Sequence, residues 1–133
     1  MLPPPENPDK HAFLERYAPA LINQRKLQRL LELYAQGERC FQKWNLRGIT
    51  LENADLSGID LSKADLSDAQ LIDVNLTRAK LIEAQLVNAE LTAVQLNQAN
   101  LSWANLRGAT LVRTSLAKAT LRSTVLPNGE ICH

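Results

Sequence analysis

Residues 54–68 read ADLSGIDLSKADLSD and place leucine at every fifth position. This spacing continues without interruption from Leu46 to Leu126, and a small or β-branched residue stands two positions before almost every leucine. An α-helix turns by about 100° per residue, so leucines five apart would spread around its whole circumference. A long strand would require a period of two. The repeat therefore excludes both a continuous helix and a continuous strand.

Each repeat predicts a short strand followed by a bend. The small residue and the leucine are two positions apart, so their side chains point to the same side of an extended chain. Polar or turn-forming residues follow the leucine, as at Ser57 and Gly58 or at Arg107 and Gly108. A chain that bends after every leucine and keeps the leucines inside winds into an all-β solenoid, whose coils hydrogen-bond to their neighbours.

The repeat also resembles a known family. The runs ADLSG at 54–58 and ANLSW at 99–103 match A-(D/N)-L-x-x, the signature of pentapeptide-repeat proteins. Residues 44–126 are similar to that family, whose members form right-handed quadrilateral β-helices. The resemblance implies four repeats, or about 20 residues, in each coil and about four coils in this chain. The flanking segments 34–41 and 126–130 resemble those of cyanobacterial members.

The repeat divides the chain into three segments. We predict an N-terminal helical capping segment at 1–43, the β-helix at 44–126 and a C-terminal tail at 127–133. A cap is expected because an open solenoid end exposes unpaired strand edges. The short tail gives the last coil little cover, and the gyrase inhibitors of the family dimerise through their C-terminal ends. We predict a monomer, with a C-terminal homodimer as the alternative.

The N-terminal segment carries the signals of two helices. Asn7 predicts an N-cap with Pro8 at the first helical position, and Pro19 interrupts or restarts the helix. Gly37 predicts the end of the second helix. The apolar stripe of that helix has the spacing i, i+3, i+4, i+7 and consists of Leu27, Leu30, Leu31 and Tyr34. We interpret the stripe as the cap of the first coil; the basic opposite face leaves partner or membrane binding as the alternative.

The composition of the 133 residues limits the classes of function. Fifteen Lys and Arg against fourteen Asp and Glu give a net charge of +1, too balanced for an overall polyanion mimic or a general nucleic-acid binder. No run of eighteen apolar residues and no signal peptide is recognisable, which predicts a soluble cytoplasmic protein without membrane association. The two cysteines fit a reducing compartment.

The chain lacks the side chains of a typical active site. His11 and His133 are the only histidines and lie in the terminal segments, so no Ser-His-Asp or Cys-His arrangement is indicated. Cys132 and His133 offer two metal ligands, whereas structural zinc usually takes four. We predict no enzymatic activity, no cofactor and no metal. The carboxylates of the repeats are expected to point outward with normal pKa values; examples are Asp55, Asp60, Asp65 and Glu83.

Apolar residues at outward positions mark candidate partner-binding surfaces. With coils of about 20 residues, Ile82, Val87 and Trp103 fall around one corner on adjacent coils, which we call the Trp103 corner. Tryptophan is enriched in interaction hot spots. The alternative is that β-forming residues merely suit exposed strands. Ile72, Thr92 and Val112 form a second candidate, a β-branched stripe on another face.

Three functions are compatible with these features. The preferred one is a non-enzymatic protein-interaction scaffold of the pentapeptide-repeat family, with an unidentified protein partner. The resemblance implies a second, a DNA-mimicking modulator of a type II topoisomerase such as gyrase. Those relatives are strongly acidic, whereas residues 46–126 here contain eight acids and eight bases. The third is DNA binding through the basic C-terminal half, where the bases are neither clustered nor interleaved with aromatics, so nucleic acid is not the partner we predict.

Overall fold

The computed structural model describes Arg16 and residues 18–133. The helix predicted from Asn7 and Pro8, and His11, lie outside these residues. The described part contains the helix α1 (Pro19–Ala35), followed by strands. These strands are β1 (Thr50–Asp55), β2 (Gln70–Asn75), β3 (Glu90–Thr92), β4 (Thr110–Val112), β5 (Thr124–Val125) and β6 (Ile131–Cys132).

The repeats form a parallel β-helix. Strands β1 to β4 are neighbours in chain order and pair in parallel, with Leu51 opposite Leu71, Leu71 opposite Leu91, and Leu91 opposite Leu111. Rows of single parallel bridges keep the same interval of 20 residues; one of them joins Cys40 to Asp60. Because every parallel pairing spans this interval, the chain returns to the same register after each coil.

Backbone geometry explains the A-(D/N)-L-x-x signature. In the repeat around Leu66, the Asp65 carboxylate accepts a hydrogen bond of 3.0 Å from the N–H of Ser67, which is an Asx turn. The carbonyl of the leucine then accepts the N–H of Ala69 at 3.1 Å. Between them, Asp68 has a φ of +61°, as the third residue of a type II turn requires. The acid or amide and the turn residue therefore bend the chain while the leucine stays inside.

The interior is a column of leucines that opens toward the C-terminal end. Every repeat leucine from Leu46 to Leu106 is buried, together with the alanines at the small repeat positions except Ala54, which is half-buried. Leu111, Leu116 and Leu121 are only half-buried because no further coil covers them. The prediction of an inward leucine column is therefore correct along most of the solenoid and incomplete at its C-terminal end.

A buried threonine replaces alanine near that end. Thr124 occupies the small position of its repeat, is fully buried and donates a hydrogen bond of 2.7 Å from its hydroxyl to the carbonyl of Leu101. Thr114 makes comparable bonds to the preceding coil, accepting the N–H of Val94 at 3.1 Å. Hydroxyls can therefore enter the core because the adjacent coil supplies their partners.

We expect Thr124→Val to destabilise the protein by roughly 1–2 kcal/mol, because the isosteric side chain loses one buried hydrogen bond. Urea unfolding followed by circular dichroism measures the change. The control is Thr110→Val on the exposed side of β4, expected to change the free energy of unfolding by less than about 0.5 kcal/mol. Equal stability of Thr124→Val and the wild type would contradict the role of this bond.

Helix α1 packs on the first coil through most of the predicted stripe, since Leu27 and Tyr34 pack against the core beside Leu30. Leu30 is 1% exposed and belongs to the core, and Leu33 packs against it. Leu31, predicted to face the core, is 37% exposed. The packing face also includes Ile22, which is buried, and Leu33, which is partly buried, and so it is rotated away from Leu31. The Tyr34 hydroxyl adds a hydrogen bond of 2.7 Å to the carbonyl of Ser57.

The ends of α1 agree with the predicted signals. Pro19 is its first residue, where the missing N–H costs nothing. Gly37, just past the end, has a φ of +100°, and its N–H bonds to the carbonyl of Tyr34 at 3.0 Å. The N–H of Glu38 reaches back to Leu33 at 3.0 Å, which completes a Schellman motif. Gly37 therefore ends the helix as predicted.

The C-terminal tail forms a hairpin with the last repeat. Strand β6 pairs with β5 in antiparallel orientation, with Thr124 opposite Cys132 and Val125 opposite Ile131. The N–H of Leu126 bonds to the carbonyl of Glu130 at 2.7 Å across the turn. The segment boundaries at 43 and 126 stay predictions.

Candidate partner-binding surface

The β-branched stripe lies on paired strands. Ile72 is the register partner of Thr92, and Thr92 is the partner of Val112. The first two are half-buried and Val112 is 45% exposed. The three side chains are therefore neighbours on one face, at the spacing of adjacent strands, about 4.8 Å.

The Trp103 corner joins two successive coils. Glu83, next to Ile82, donates its N–H to the carbonyl of Ser102 at 2.9 Å, and this places Ile82 beside the coil that carries Trp103. Ile82 and Val87 are half-buried, whereas Trp103 is 61% exposed. Val87 belongs to the following repeat, where the N–H of Asn88 bonds to the carbonyl of Arg107 at 2.9 Å. The structure therefore brings Ile82 to the repeat of Trp103 and places Val87 one repeat further along the coil.

The backbone of Trp103 has the left-handed conformation of its repeat position. Its φ is +64°, in the left-handed region, where an L-residue other than Gly, Asn or Asp costs roughly 1–2 kcal/mol. The indole is mostly exposed, so its packing offsets little of this conformational cost. The equivalent position of other repeats holds glycine, Asn or Asp, as at Gly58, Asp68 and Asn88, but also long side chains with the same positive φ, as at Lys63, Arg78 and Glu83. A positive φ is therefore the regular conformation of this repeat position and does not by itself single out Trp103.

Charged residues of both signs lie on the coils next to Trp103. The backbone N–H of Trp103 donates to the carbonyl of Arg122 at 2.9 Å. On the preceding coil, Lys80 forms a parallel bridge with Asn100, which belongs to the same repeat as Trp103. Within the described part of the chain, neither Arg122 nor Lys80 belongs to an ion pair. The acid nearest to Trp103 by backbone hydrogen bonding is Glu83, whose N–H bonds to the carbonyl of Ser102. The backbone bonds therefore place one acid, Glu83, and one base, Arg122, on the coils beside Trp103.

Two carboxylates differ from the expected normal pKa values. The Asp55 carboxylate accepts the backbone N–H of Ser57 at 3.0 Å, and this bond lowers its pKa. Partial burial raises the pKa of Asp60, but hydrogen bonds from Gln42 at 2.8 Å and from Ser62, together with the charge of Lys80, outweigh it and lower the pKa overall. Hydrogen bonding to the ionised form therefore corrects the expectation for both residues.

The lowered pKa of Asp60 makes part of the stability depend on pH. Its folded pKa lies below the unfolded value near 3.8, so the ionised carboxylate stabilises the fold above that pH, and this contribution is lost as the pH falls through the folded pKa. We expect Asp60→Asn to lose this acid-dependent component. In Gln42→Ala, the pKa of Asp60 measured by NMR should rise. A wild-type value for Asp60 at or above 3.8 would contradict the assignment.

The described residues offer little else in the way of reactive groups. They contain no group of three or more His, Cys, Asp and Glu side chains arranged to hold a metal ion. Cys40 is exposed and Cys132 half-buried, both as free thiols. No helix within residues 18–133 is long and apolar enough to cross a membrane.

Sequence reasoning missed one concave feature, at the junction of α1 and the first repeats. Two cavities there share Ile22 and Lys26 and reach Trp44 and Arg47. The signal available was Trp44, a bulky residue at a repeat position that is otherwise small. We call this feature the cap cleft.

The fold and the surface define a parallel β-helix repeat protein with exposed apolar side chains. A family model described as "Pentapeptide repeat region" matches residues 40–121. The chain belongs to the pentapeptide-repeat family. No curated protein gives a significant match.

Solved structures agree with the family assignment. A pentapeptide repeat protein from the Arabidopsis thaliana thylakoid lumen is 25% identical, with a TM-score of 0.61; the match covers 68% of this chain and 66% of that one. One from the cyanobacterium Cyanothece 51142 is 22% identical, with a TM-score of 0.60 and coverage of 81% and 99%. One from Nostoc PCC 7120 is 34% identical, with a TM-score of 0.44 and coverage of 70% and 93%.

Proposed function

We propose that the chain is a non-enzymatic protein-interaction scaffold that binds its partner at the Trp103 corner. The observation that carries this proposal is the exposed indole: Trp103 is 61% exposed at an outward turn position that holds glycine or a polar residue in most repeats. Tryptophan supplies a large contact area and is enriched among residues that dominate binding energy. Ile82, on the preceding coil, adds an aliphatic side chain to this surface, and Val87 extends it into the following repeat.

The shape that we infer for the scaffold is a right-handed quadrilateral rod of about four coils. The support is the constant pairing interval of 20 residues and the bend after each leucine. A rod of repeated coils holds its surface side chains at fixed positions, since each coil is bonded to the next. This rigidity lowers the entropy cost of presenting a binding surface.

The proposal includes a cytoplasmic monomer from a cyanobacterium. Half-buried leucines at the C-terminal end, Leu116 and Leu121, support a C-terminal homodimer as the alternative. Analytical ultracentrifugation distinguishes the two states. The balance of eight acids and eight bases in residues 46–126 favours a protein scaffold over the DNA-mimicking topoisomerase modulator, and a gyrase supercoiling assay separates these functions.

The test is capture of protein partners from the native cell by variants of the corner. We expect Trp103→Ala combined with Ile82→Ser to abolish capture, since loss of a hot spot costs 2 kcal/mol or more, a factor of roughly 30 in affinity. The comparison variant is Ile72→Ser with Val112→Ser, which removes the β-branched stripe. If only the stripe variant loses the partner, or if both profiles stay unchanged, the Trp103 corner is not the binding site.

Trp103→Asn provides a control for folding. Asparagine tolerates the left-handed conformation, so this variant should be at least as stable as the wild type, by up to roughly 1 kcal/mol. We expect it to lose partner capture nevertheless. Thermal unfolding and capture are measured on the same sample, so that loss of binding is separated from loss of the fold.

A further inference from the structure

The cap cleft lies between α1 and the first repeats, away from the Trp103 corner. Its two cavities have volumes of about 250 and 280 Å³ and share Ile22 and Lys26. The first extends to Asn45 and Arg47, and the second to the side chain of Trp44. Both cavities are open to solvent and smaller than most small-molecule sites, which have volumes of about 300–1,000 Å³.

The floor of the cleft is apolar. Ile22 is 6% exposed and contributes to both cavities. Trp44 is half-buried and held in place by an edge-to-face contact with Phe41, with ring centroids 5.1 Å apart and planes at 76°. An aliphatic or aromatic side chain entering the cleft would therefore meet a fixed apolar surface.

The rim of the cleft is basic on both sides. Arg25 and Arg29 are one helical turn apart on α1, with Lys26 between them, so the three side chains share one face of the helix. Arg47 stands across the cleft, on the first repeats. Neither cavity has an acidic residue in its lining. The cleft therefore attracts negative charge directly above an apolar floor.

These cations are largely free to take a ligand. Within residues 18–133, Arg25, Lys26 and Arg29 have no ion pair. Arg47 pairs with Asp68 at 3.2 Å, but both side chains are well exposed, and exposed ion pairs contribute only about 0–1 kcal/mol. An incoming carboxylate can therefore pair with the rim without first breaking a strong internal contact.

We propose that the cap cleft binds a short acidic segment of a partner protein, with one apolar side chain on Ile22 and Trp44 and flanking carboxylates on the basic rim. We choose an acidic segment as the occupant because its negative charge complements the basic rim of the cleft. A nucleic-acid strand fits less well because the next coil places Asp65 opposite Asn45 and Asp68 beside Arg47. These two aspartates would repel the negative charges of a longer polyanion, whereas a short peptide segment would not extend as far as the aspartates.

The probe is a fluorescein-labelled peptide of glutamates with interspersed leucines, and its matched control has glutamine in place of every glutamate. Fluorescence anisotropy with the full chain should show binding of the glutamate peptide that weakens with added salt. We expect Arg25→Glu with Arg29→Glu to weaken this binding by roughly tenfold or more, because two attractive contacts become repulsive. Trp103→Ala should leave it unchanged, which separates this site from the Trp103 corner.

The charge-matched control variant is Arg78→Glu with Lys118→Glu. Both residues are exposed, lie outside the lining of the cleft and give the same change in net charge. Retained binding by this variant supports the proposal. Absence of binding by the wild type, equal loss in both double variants, or equal binding of the glutamine peptide overturns it. Tighter binding of an oligothymidylate at the same salt concentration also overturns it, in favour of nucleic acid.

Discussion

Replacing Leu81 with arginine is expected to abolish cooperative folding. Leu81 is 1% exposed and lies in the middle of the leucine column, and its N–H bonds to the carbonyl of Asn100 at 2.8 Å. An arginine here would bury a guanidinium among leucines and alanines without a counter-ion. Uncompensated burial of charge costs more than about 4–5 kcal/mol, a large part of the roughly 5–15 kcal/mol that stabilises a domain.

The loss of stability extends beyond the coil that contains Leu81. Each coil is stabilised mainly by its two neighbours, so disruption of a central coil separates the repeats on either side. The control is Gln85→Arg, an exposed residue of the same coil that pairs with Asp65 and Asn105. We expect the free energy of unfolding of this variant to stay within about 0.5 kcal/mol of the wild-type value. Cooperative unfolding of Leu81→Arg at the wild-type temperature, by circular dichroism, would contradict the inward leucine column.

Leu30→Glu is expected to detach α1 from the first coil. Leu30 is buried against the core, and a carboxylate there has no basic partner within the apolar contact. We expect a loss of roughly 3–5 kcal/mol, from the lost packing and the buried charge. Exposure of the first coil should also promote association of the chains, because its strand edges and leucines become accessible.

The neighbouring residue gives a matched control. Leu31 is on the same turn of α1, and its side chain is 37% exposed. Leu31→Glu should therefore stay close to wild-type stability and keep the helical signal at 222 nm. Equal destabilisation by Leu31→Glu and Leu30→Glu would contradict the assignment of Leu30, and not Leu31, to the packing face of α1. Light scattering on the same samples reports association.

The leucine period was sufficient to predict the solenoid. A repeat of five has no other arrangement that keeps every leucine on one side, so the interior column from Leu46 to Leu106 follows from the sequence. Half-burial of Leu116 and Leu121 did not follow, because it depends on how many coils cover them. The hairpin of β5 and β6 was missed for a related reason, as strands of two residues carry almost no periodic signal.

Long-range contacts account for the other differences. The helical spacing of α1 allowed either Leu31 or Leu33 to face the core, and the position of the first coil decides between them. The lowered pKa of Asp60 depends on Gln42, which is 18 residues away and reaches it only through the pairing of adjacent coils. Neither contact has a signal in the local sequence.

The two candidate sites differ in how far the sequence predicted them. Trp103 was recognisable as an outward aromatic, but its left-handed backbone was not, since that conformation belongs to the turn that follows each leucine. The cap cleft could not be predicted, because its cations come from α1 and from the first repeats, and only the packing of α1 brings Arg29 and Arg47 to one depression.

Hydrogen exchange of leucine amides tests the stacking of coils most directly. The N–H groups of Leu61, Leu81 and Leu101 each bond to a carbonyl of the next coil at 2.8 Å. In the same row, the Leu121 N–H has no backbone acceptor among residues 18–133. With ¹⁵N-leucine labelling and NMR, the first three amides should exchange slowly and together, through global unfolding, and that of Leu121 rapidly. Rapid exchange at Leu81, or equal protection at all four, would contradict the account.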